Sequence, residues 1–275
     1  MIMIELPEVF TLTRQLSPVL PGRTITRCVA NQSPHKFAFF KPDADQITER
    51  LTGRAITAVS NNQRNMLQIE LDEGCLVFAE MGGRILLHTP ETQTLPKNQL
   101  LLDLDDGSKL TASIVLWGFI QAAWPGEQRG WIAEKPAPLA DELTFERFET
   151  LFQDPSITPK TSVKYFIISQ PGLGGVGNGC LQDILFNAQL QPRRTVQTLS
   201  EAERYNLYTA ARSTLRQMIE LGGRDTERDL FNQPGGYKII MGSHAAGKPC
   251  PRCGTAVEKI QFLGGASYFC PGCQH

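Results

Sequence analysis

Four cysteines close to the C-terminal end constrain this chain more tightly than any other feature. Cys250-Pro-Arg-Cys253 and Cys270-Pro-Gly-Cys273 are two C-x2-C pairs separated by sixteen residues. Each pair belongs on a tight turn with both sulfurs pointing the same way, so four thiolates can close a tetrahedron around one Zn2+. The intervening residues carry strand-forming side chains (Val257, Ile260, Phe262, Tyr268, Phe269), with Gly264-Gly265 as the expected reversal of a β-hairpin. Two disulfides or four free thiols are the competing reading, which the paired spacing disfavours. A zinc with four protein ligands has no open coordination position, so it builds a scaffold and performs no chemistry.

What that scaffold serves must come from the other residues. A chain of 275 residues with 41% hydrophobic and 20% charged side chains can bury a sizeable core. No run reaches the ~18 apolar residues of a membrane span, and no signal-like segment opens the sequence. Cys28, Cys75 and Cys180 are isolated from one another, as in a reducing compartment, and a cytoplasmic monomer is expected. The net charge of −1 argues against an indiscriminate nucleic-acid binder. It hides an asymmetry: residues 151–275 hold 13 Lys and Arg against 9 Asp and Glu, whereas residues 1–150 hold 14 against 19. A positive C-terminal half is compatible with a phosphate-facing surface.

Periodicity divides the chain. Pro7 and Glu8 suit the first turn of a helix, and Leu12 and Leu16 give it an apolar stripe, so a helix is expected over Glu8–Val19. Strand patterns follow at Ile25–Ala30, Ala55–Ser60, Met66–Leu71, Cys75–Ala79, Leu100–Leu104 and Lys109–Leu116, with Ile47–Thr52 a candidate short helix. Asp72-Glu73-Gly74 and Asp105-Asp106-Gly107 read as hairpin turns, and together these features predict an antiparallel β-sandwich. Beyond a Gly/Pro-rich stretch the period becomes helical at Phe145–Phe152, Val163–Ser169, Leu181–Ala188 and Glu201–Leu221. The last is opened by a Ser200/Glu203 capping box and closed by Gly222-Gly223. The expected architecture is α+β: a sandwich domain over residues 1–135, a helical domain over 136–240 and a zinc ribbon over 241–275.

Between two of those helices lies Gly172-Leu-Gly-Gly-Val-Gly-Asn-Gly179, five glycines in eight residues. A helix and not a strand precedes it, and it lacks the lysine of a P-loop, which excludes a nucleotide fingerprint. Two readings stay open: a structural loop, or a clamp whose bare backbone N–H groups approach phosphates at a helix N-terminus.

Taken in order, these pieces resemble the formamidopyrimidine-DNA glycosylase/endonuclease VIII family of bifunctional base-excision repair enzymes. Ile4-Glu-Leu-Pro-Glu-Val9 resembles the family's Pro-Glu-Leu-Pro-Glu-Val opening, and Lys164-Tyr-Phe-Ile-Ile-Ser-Gln170 its Lys-x-x-Leu-Leu-x-Gln helix. Gly175-Val-Gly177-Asn178 resembles the Gly-Ile-Gly-Asn of its helix–two-turn–helix, and the cysteine quartet its zinc finger. The resemblance implies damaged or distorted duplex DNA as partner, one structural Zn2+, and removal of oxidised bases followed by cleavage of the abasic strand.

Carried over residue by residue, the resemblance implies Glu5 as general acid/base, with Glu8 a second acid of the opening. Lys164, Asn178, Gly175 and Gly177 are implied as DNA-positioning residues, and Met81 as part of the group filling the gap left by an everted base. Other positions depart from the family. Its N-terminal proline, whose free amine attacks the sugar, is matched by Ile4 behind three further residues, and a peptide nitrogen cannot serve as that nucleophile. A start at Met3 with methionine removal would free an Ile4 amine. The family's phosphate-contacting lysine and zinc-finger arginine are matched by Asn65 and Gly265. Its Asp-Pro-Arg-Arg-Phe-Gly loop is matched by Ser113-Ile-Val-Leu-Trp117-Gly118, which keeps only an aromatic. The expected function is a repair-type DNA-binding protein whose glycosylase/lyase activity is in question. A non-catalytic binder of damaged or structured DNA, and a protein-interaction module on the same fold, are the alternatives.

Overall fold

The computed structural model describes residues 3–94, 96–129 and 135–275. The chain forms two compact units, Met1–Ile132 with Leu221–Gly236, and Ala133–Glu220 with Tyr237–His275. Residues 221–236 thus join the sandwich, and the four-cysteine segment joins the helices. The physical reason for the first placement is that Leu230 is buried in the sandwich core and its carbonyl accepts from Leu87 N.

The first unit opens with α1 (Leu6–Leu16), two residues earlier than its periodicity suggests. Glu5 is the N-cap, and the Glu8 carboxylate accepts from its backbone N–H at 3.0 Å, which starts the helix before its first apolar repeat. β1 (Ile25–Ala30), β7 (Leu100–Leu104), β8 (Lys109–Ile114) and β6 (Gly83–His88) pair in that order as one antiparallel sheet. β2 (Ala38–Lys41), β9 (Gly118–Ala123), β5 (Cys75–Ala79), β4 (Met66–Leu71) and β3 (Ile56–Asn61) form the other, and α2 (Ala44–Leu51) follows β2 in the chain. The sequence did not reveal β2, β6 or β9. β9 is buried at five of its six positions and so shows no alternation. β2 is a four-residue edge that pairs parallel to β9, a departure from the all-antiparallel expectation. The core is filled from α1 and both sheets by residues such as Leu12, Leu16, Ile69, Phe78, Leu102 and Ile120.

The second unit contains α3 (Phe145–Thr150), α4 (Val163–Ile168), α5 (Asn178–Ala188) and α6 (Glu201–Glu220). Phe148, Phe152 and Phe166 lock α3 and α4 together, with the last two ring centroids 4.3 Å apart. The capping box of α6 forms as expected: Ser200 N donates to Glu203 Oε2 at 2.8 Å, and Glu203 N to Ser200 Oγ at 3.3 Å. The hairpin of β10 (Glu258–Phe262) and β11 (Gly265–Phe269) reverses at Leu263-Gly264, one residue earlier than expected. Both turn residues have positive φ, 52° and 75°, as a two-residue reversal of this kind demands, and Gly265 is therefore the first strand residue.

Candidate functional site

In the sandwich unit, the start of α1 packs against the turn after α6. Arg224, fully buried, reaches three partners. Its Nε and Nη2 donate to the two oxygens of Glu8 at 3.0 and 2.7 Å, and Nη1 donates to Glu5 Oε1 at 3.1 Å. Nη2 also donates to the Met3 carbonyl at 2.8 Å, and Arg224 N donates to Glu8 Oε1 at 3.1 Å. A third carboxyl, Glu227, is buried beside them and accepts from Met3 N at 3.1 Å. Burial first, and then the neighbouring Glu8 and Glu5 charges, push the Glu227 carboxyl up to about 8, with Arg224 pulling the other way. One guanidinium cannot balance three carboxylates out of water, and it is Glu227 that keeps its proton at neutral pH.

Ile4 is buried, and its nitrogen donates to the Met81 carbonyl at 2.8 Å. Met81 itself is a core residue, and a side chain built at Gly118 would come within 2.9 Å of its sulfur. Asn65, in the turn before β4, donates to Glu80 Oε1 at 2.9 Å. Arg224 thus holds Glu5 and Glu8, and with Glu227 it holds the backbone of Met3, while Ile4 is tied to Met81; the sequence did not single out Arg224 or Glu227. Charged residues just past a Gly-Gly helix stop read as an exposed loop, and no local pattern could announce their burial.

The helical unit gathers the other candidates onto the hairpin. Lys164 is fully buried in α4, where its ammonium donates to the Phe262 carbonyl at 2.7 Å and Ser267 Oγ at 3.0 Å, and desolvation lowers its pKa. Asn178 is the first residue of α5, with Gly177 as N-cap, so the helix starts three residues before its apolar pattern. Its Nδ2 donates to the Ala266 carbonyl at 3.0 Å. A side chain at Gly265 would project past Asn178, whose nearest atom lies 3.7 Å from the ideal Cβ position. Gly175 takes φ of 77°, which turns the chain sharply ahead of α5. Gln182 and Asp183, overlooked in the sequence, tie the unit together. Gln182 accepts from Tyr268 N, while Asp183 accepts from the Tyr237 hydroxyl and from the backbone N–H of Ile240 and Met241.

The Sγ atoms of Cys250, Cys253, Cys270 and Cys273 all lie within 4.8 Å of one another. A tetrahedron with ~2.3 Å zinc–sulfur bonds needs about 3.8 Å between sulfurs, so the quartet fits one Zn2+ after only small shifts. The Cys250–Cys273 and Cys253–Cys270 separations are 3.9 and 3.4 Å. Hydrogen bonding by Thr255 lowers Cys253 to about 6, while burial and the neighbouring sulfurs push Cys270 and Cys273 up, so the quartet shares protons that a bound metal would displace. Three of the four cysteines are buried with Phe186, Met241 and Val257, so the metal would complete a small core of its own.

Comparison with known proteins matches three family descriptions along the chain. The formamidopyrimidine-DNA glycosylase N-terminal domain covers residues 3–113, its H2TH domain 135–229, and the zinc finger found in FPG and IleRS 247–275. The formamidopyrimidine-DNA glycosylase of Heliobacterium modesticaldum is 30% identical over 286 residues, 99% of this chain and 100% of the relative. That of Thermus thermophilus is also 30% identical, over 99% and 98%. A crystal structure of the Thermus thermophilus protein superposes with a TM-score of 0.80 at 28% identity, covering 98% of each chain. A Lactococcus lactis Fpg in complex with DNA containing an abasic site shares the fold, with a TM-score of 0.82 at 23% identity over 98% and 99%. A helix-capped β-sheet unit, a helix–two-turn–helix and a four-cysteine hairpin define a DNA-repair fold with a structural zinc site. The chain belongs to the formamidopyrimidine-DNA glycosylase family.

Proposed function

We propose that this chain binds damaged or distorted DNA through the family fold without performing the Schiff-base chemistry of a glycosylase/lyase. The observation that carries this reading is the hydrogen bond from Ile4 N to the Met81 carbonyl. Within the chain Ile4 nitrogen is a peptide nitrogen, its lone pair is delocalised into the amide, and its one hydrogen is engaged. A Schiff base needs a free amine whose lone pair can attack the sugar carbon. Glu5, in the position of the general acid/base, is buried against Arg224, so proton exchange with a substrate is obstructed.

Two cationic phosphate contacts of the family are replaced by Asn65 and Gly265, which weakens the electrostatic grip. The glycine loop leading into Asn178 remains and sets the N-terminus of α5, although the N–H groups of Gly172, Leu173, Gly174 and Val176 donate to carbonyls within the fold, so the positive end of the helix and not the loop would attract a DNA phosphate. Borohydride trapping on abasic-site DNA, alongside N-terminal mass analysis of the same preparation, tests the proposal. The expected result is binding at low salt with no covalent adduct. An adduct at any processed N-terminus would restore the enzymatic reading, and absence of DNA binding at every salt concentration would remove both.

A further inference from the structure

The tip of the four-cysteine hairpin carries a leucine where turn chemistry argues against one. A two-residue reversal with positive φ at both positions suits Asn-Gly, whereas a larger side chain in that conformation crowds its own carbonyl. Leu263 takes φ of 52° there and is still 47% exposed, so burial does not offset the strain. The residues after it, Gly264, Gly265 and Ala266, are small, and a side chain built at Gly264 would meet nothing within 4 Å. The hairpin therefore ends in one apolar side chain on a slender tip.

Both strands hold that tip in place. Before it, the Phe262 carbonyl accepts from the buried Lys164 ammonium at 2.7 Å. After it, the Ala266 carbonyl accepts from Asn178 Nδ2 at 3.0 Å and Gln182 Nε2 at 3.3 Å. Groups that attract phosphate stand alongside. The guanidinium of Arg193, an exposed residue, lies 5.3 Å from the Phe262 ring centroid, and α5 begins at Asn178, 3.7 Å from the ideal Cβ position of Gly265. Backbone strain enforced by its surroundings is a mark of a functional contact. An apolar side chain flanked by phosphate-attracting groups matches the minor groove of duplex DNA. Its phosphate walls enclose the base edges, and its width of ~6 Å admits a side chain but not a two-stranded ribbon. Leucine is among the side chains that enter between base steps there, unstacking and kinking the duplex.

We infer that Leu263 is a wedge that enters the minor groove and separates adjacent base pairs. The protein then prefers duplex whose stacking is already weakened, as at a mismatch, because less unstacking remains to be done. This inference rests on the DNA-binding reading above and adds to it the residue that engages the distortion.

The test uses the zinc-loaded, full-length protein and a short duplex with one central mismatch, beside which a fluorescent base analogue brightens on unstacking. Wild-type protein should bind this duplex more tightly than the matched one and raise the emission of the analogue. Leu263→Asn suits the turn better and should raise Tm. Lacking the apolar wedge, the same variant should bind the mismatched duplex roughly 10-fold more weakly and leave the emission unchanged on binding. The lost contact carries no charge, so the salt slope should stay the same. Leu263→Met keeps an apolar side chain at the same backbone position and should keep both affinity and emission. Equal wild-type affinity for the two duplexes would overturn the wedge while leaving DNA binding intact. So would a Leu263→Asn variant that keeps wild-type affinity and emission, or one whose Tm falls together with its affinity. A variant that changes only self-association, measured by light scattering, would overturn it in favour of a protein contact. Failure of the wild type to bind either duplex would instead sink the reading on which the wedge rests.

Discussion

The Arg224 guanidinium meets the Glu8 carboxylate side-on, Nε to Oε1 at 3.0 Å and Nη2 to Oε2 at 2.7 Å, with both side chains buried. The two residues are 216 positions apart, and the pair fastens the chain after α6 to the first turn of α1. The same carboxylate also caps that helix by accepting from Glu5 N. Glu8 therefore stabilises local and long-range structure at once, and what holds it also holds Glu5.

Removing the guanidinium should be severe. Arg224→Gln leaves Glu5 and Glu8 buried without their cation, and the expected loss is about 3–5 kcal/mol of unfolding free energy. Urea denaturation of the variant at pH 7 measures it. A loss below ~1 kcal/mol would mean that the cluster opens to water in solution.

Stability should fall with rising pH through the range set by Glu227. Its carboxyl is raised from 4.5 to about 8 in the folded protein, so the folded state holds a proton that the unfolded chain has already released. That contribution is fully present below about 4.5 and is lost as pH rises through about 8. Glu227→Gln, which cannot ionise, should flatten the dependence of Tm on pH between about 5 and 8.5. An unchanged slope would assign it to other groups.

Gly265→Arg should strengthen DNA binding. Gly265 has ordinary extended backbone, and the nearest atom beyond its neighbours would lie 3.7 Å from the new Cβ, so the substitution fits without strain. One added phosphate contact should steepen the plot of log K against log salt by about 0.9. No change in slope would show that the hairpin does not face phosphate.

Lys164→Met should behave in the opposite way. Its ammonium is engaged by the Phe262 carbonyl and Ser267 hydroxyl, so the salt slope should stay the same. Stability should drop by about 1–3 kcal/mol as those buried acceptors lose their donor. A slope reduced by about one unit would mean that the lysine reaches DNA after all.

Zinc removal should unfold the hairpin locally. Metal analysis is expected to find one Zn2+ per chain, and chelation or Cys270→Ser should expose the small core around Met241 and Val257. Hydrogen exchange across residues 249–274 reads this out. Full protection in the metal-free protein would assign the fold of the hairpin to its packing alone.

Much of this molecule was legible in the order of its residues. Pairs of cysteines at fixed spacing, alternation in β4, the Asp72-Glu73-Gly74 turn into β5, and the Ser200/Glu203 box each act over a few positions, so sequence alone carries them. The opening Ile4–Val9 and the Gly175–Asn178 turn likewise pointed to the family through short local motifs. Sequence did not reveal β2 and β9, because a short parallel edge and a strand buried on both faces lack alternation. Nor could it show that the buried Lys164 ammonium meets the Phe262 carbonyl and the Ser267 hydroxyl, or that Arg224 and Glu227 lie beside Glu5 and Glu8. Those are meetings between residues roughly 100 to 220 positions apart. Whether a charged side chain reaches solvent, phosphate or a buried partner depends on what the folded chain lays over it, and only the tertiary structure decides that.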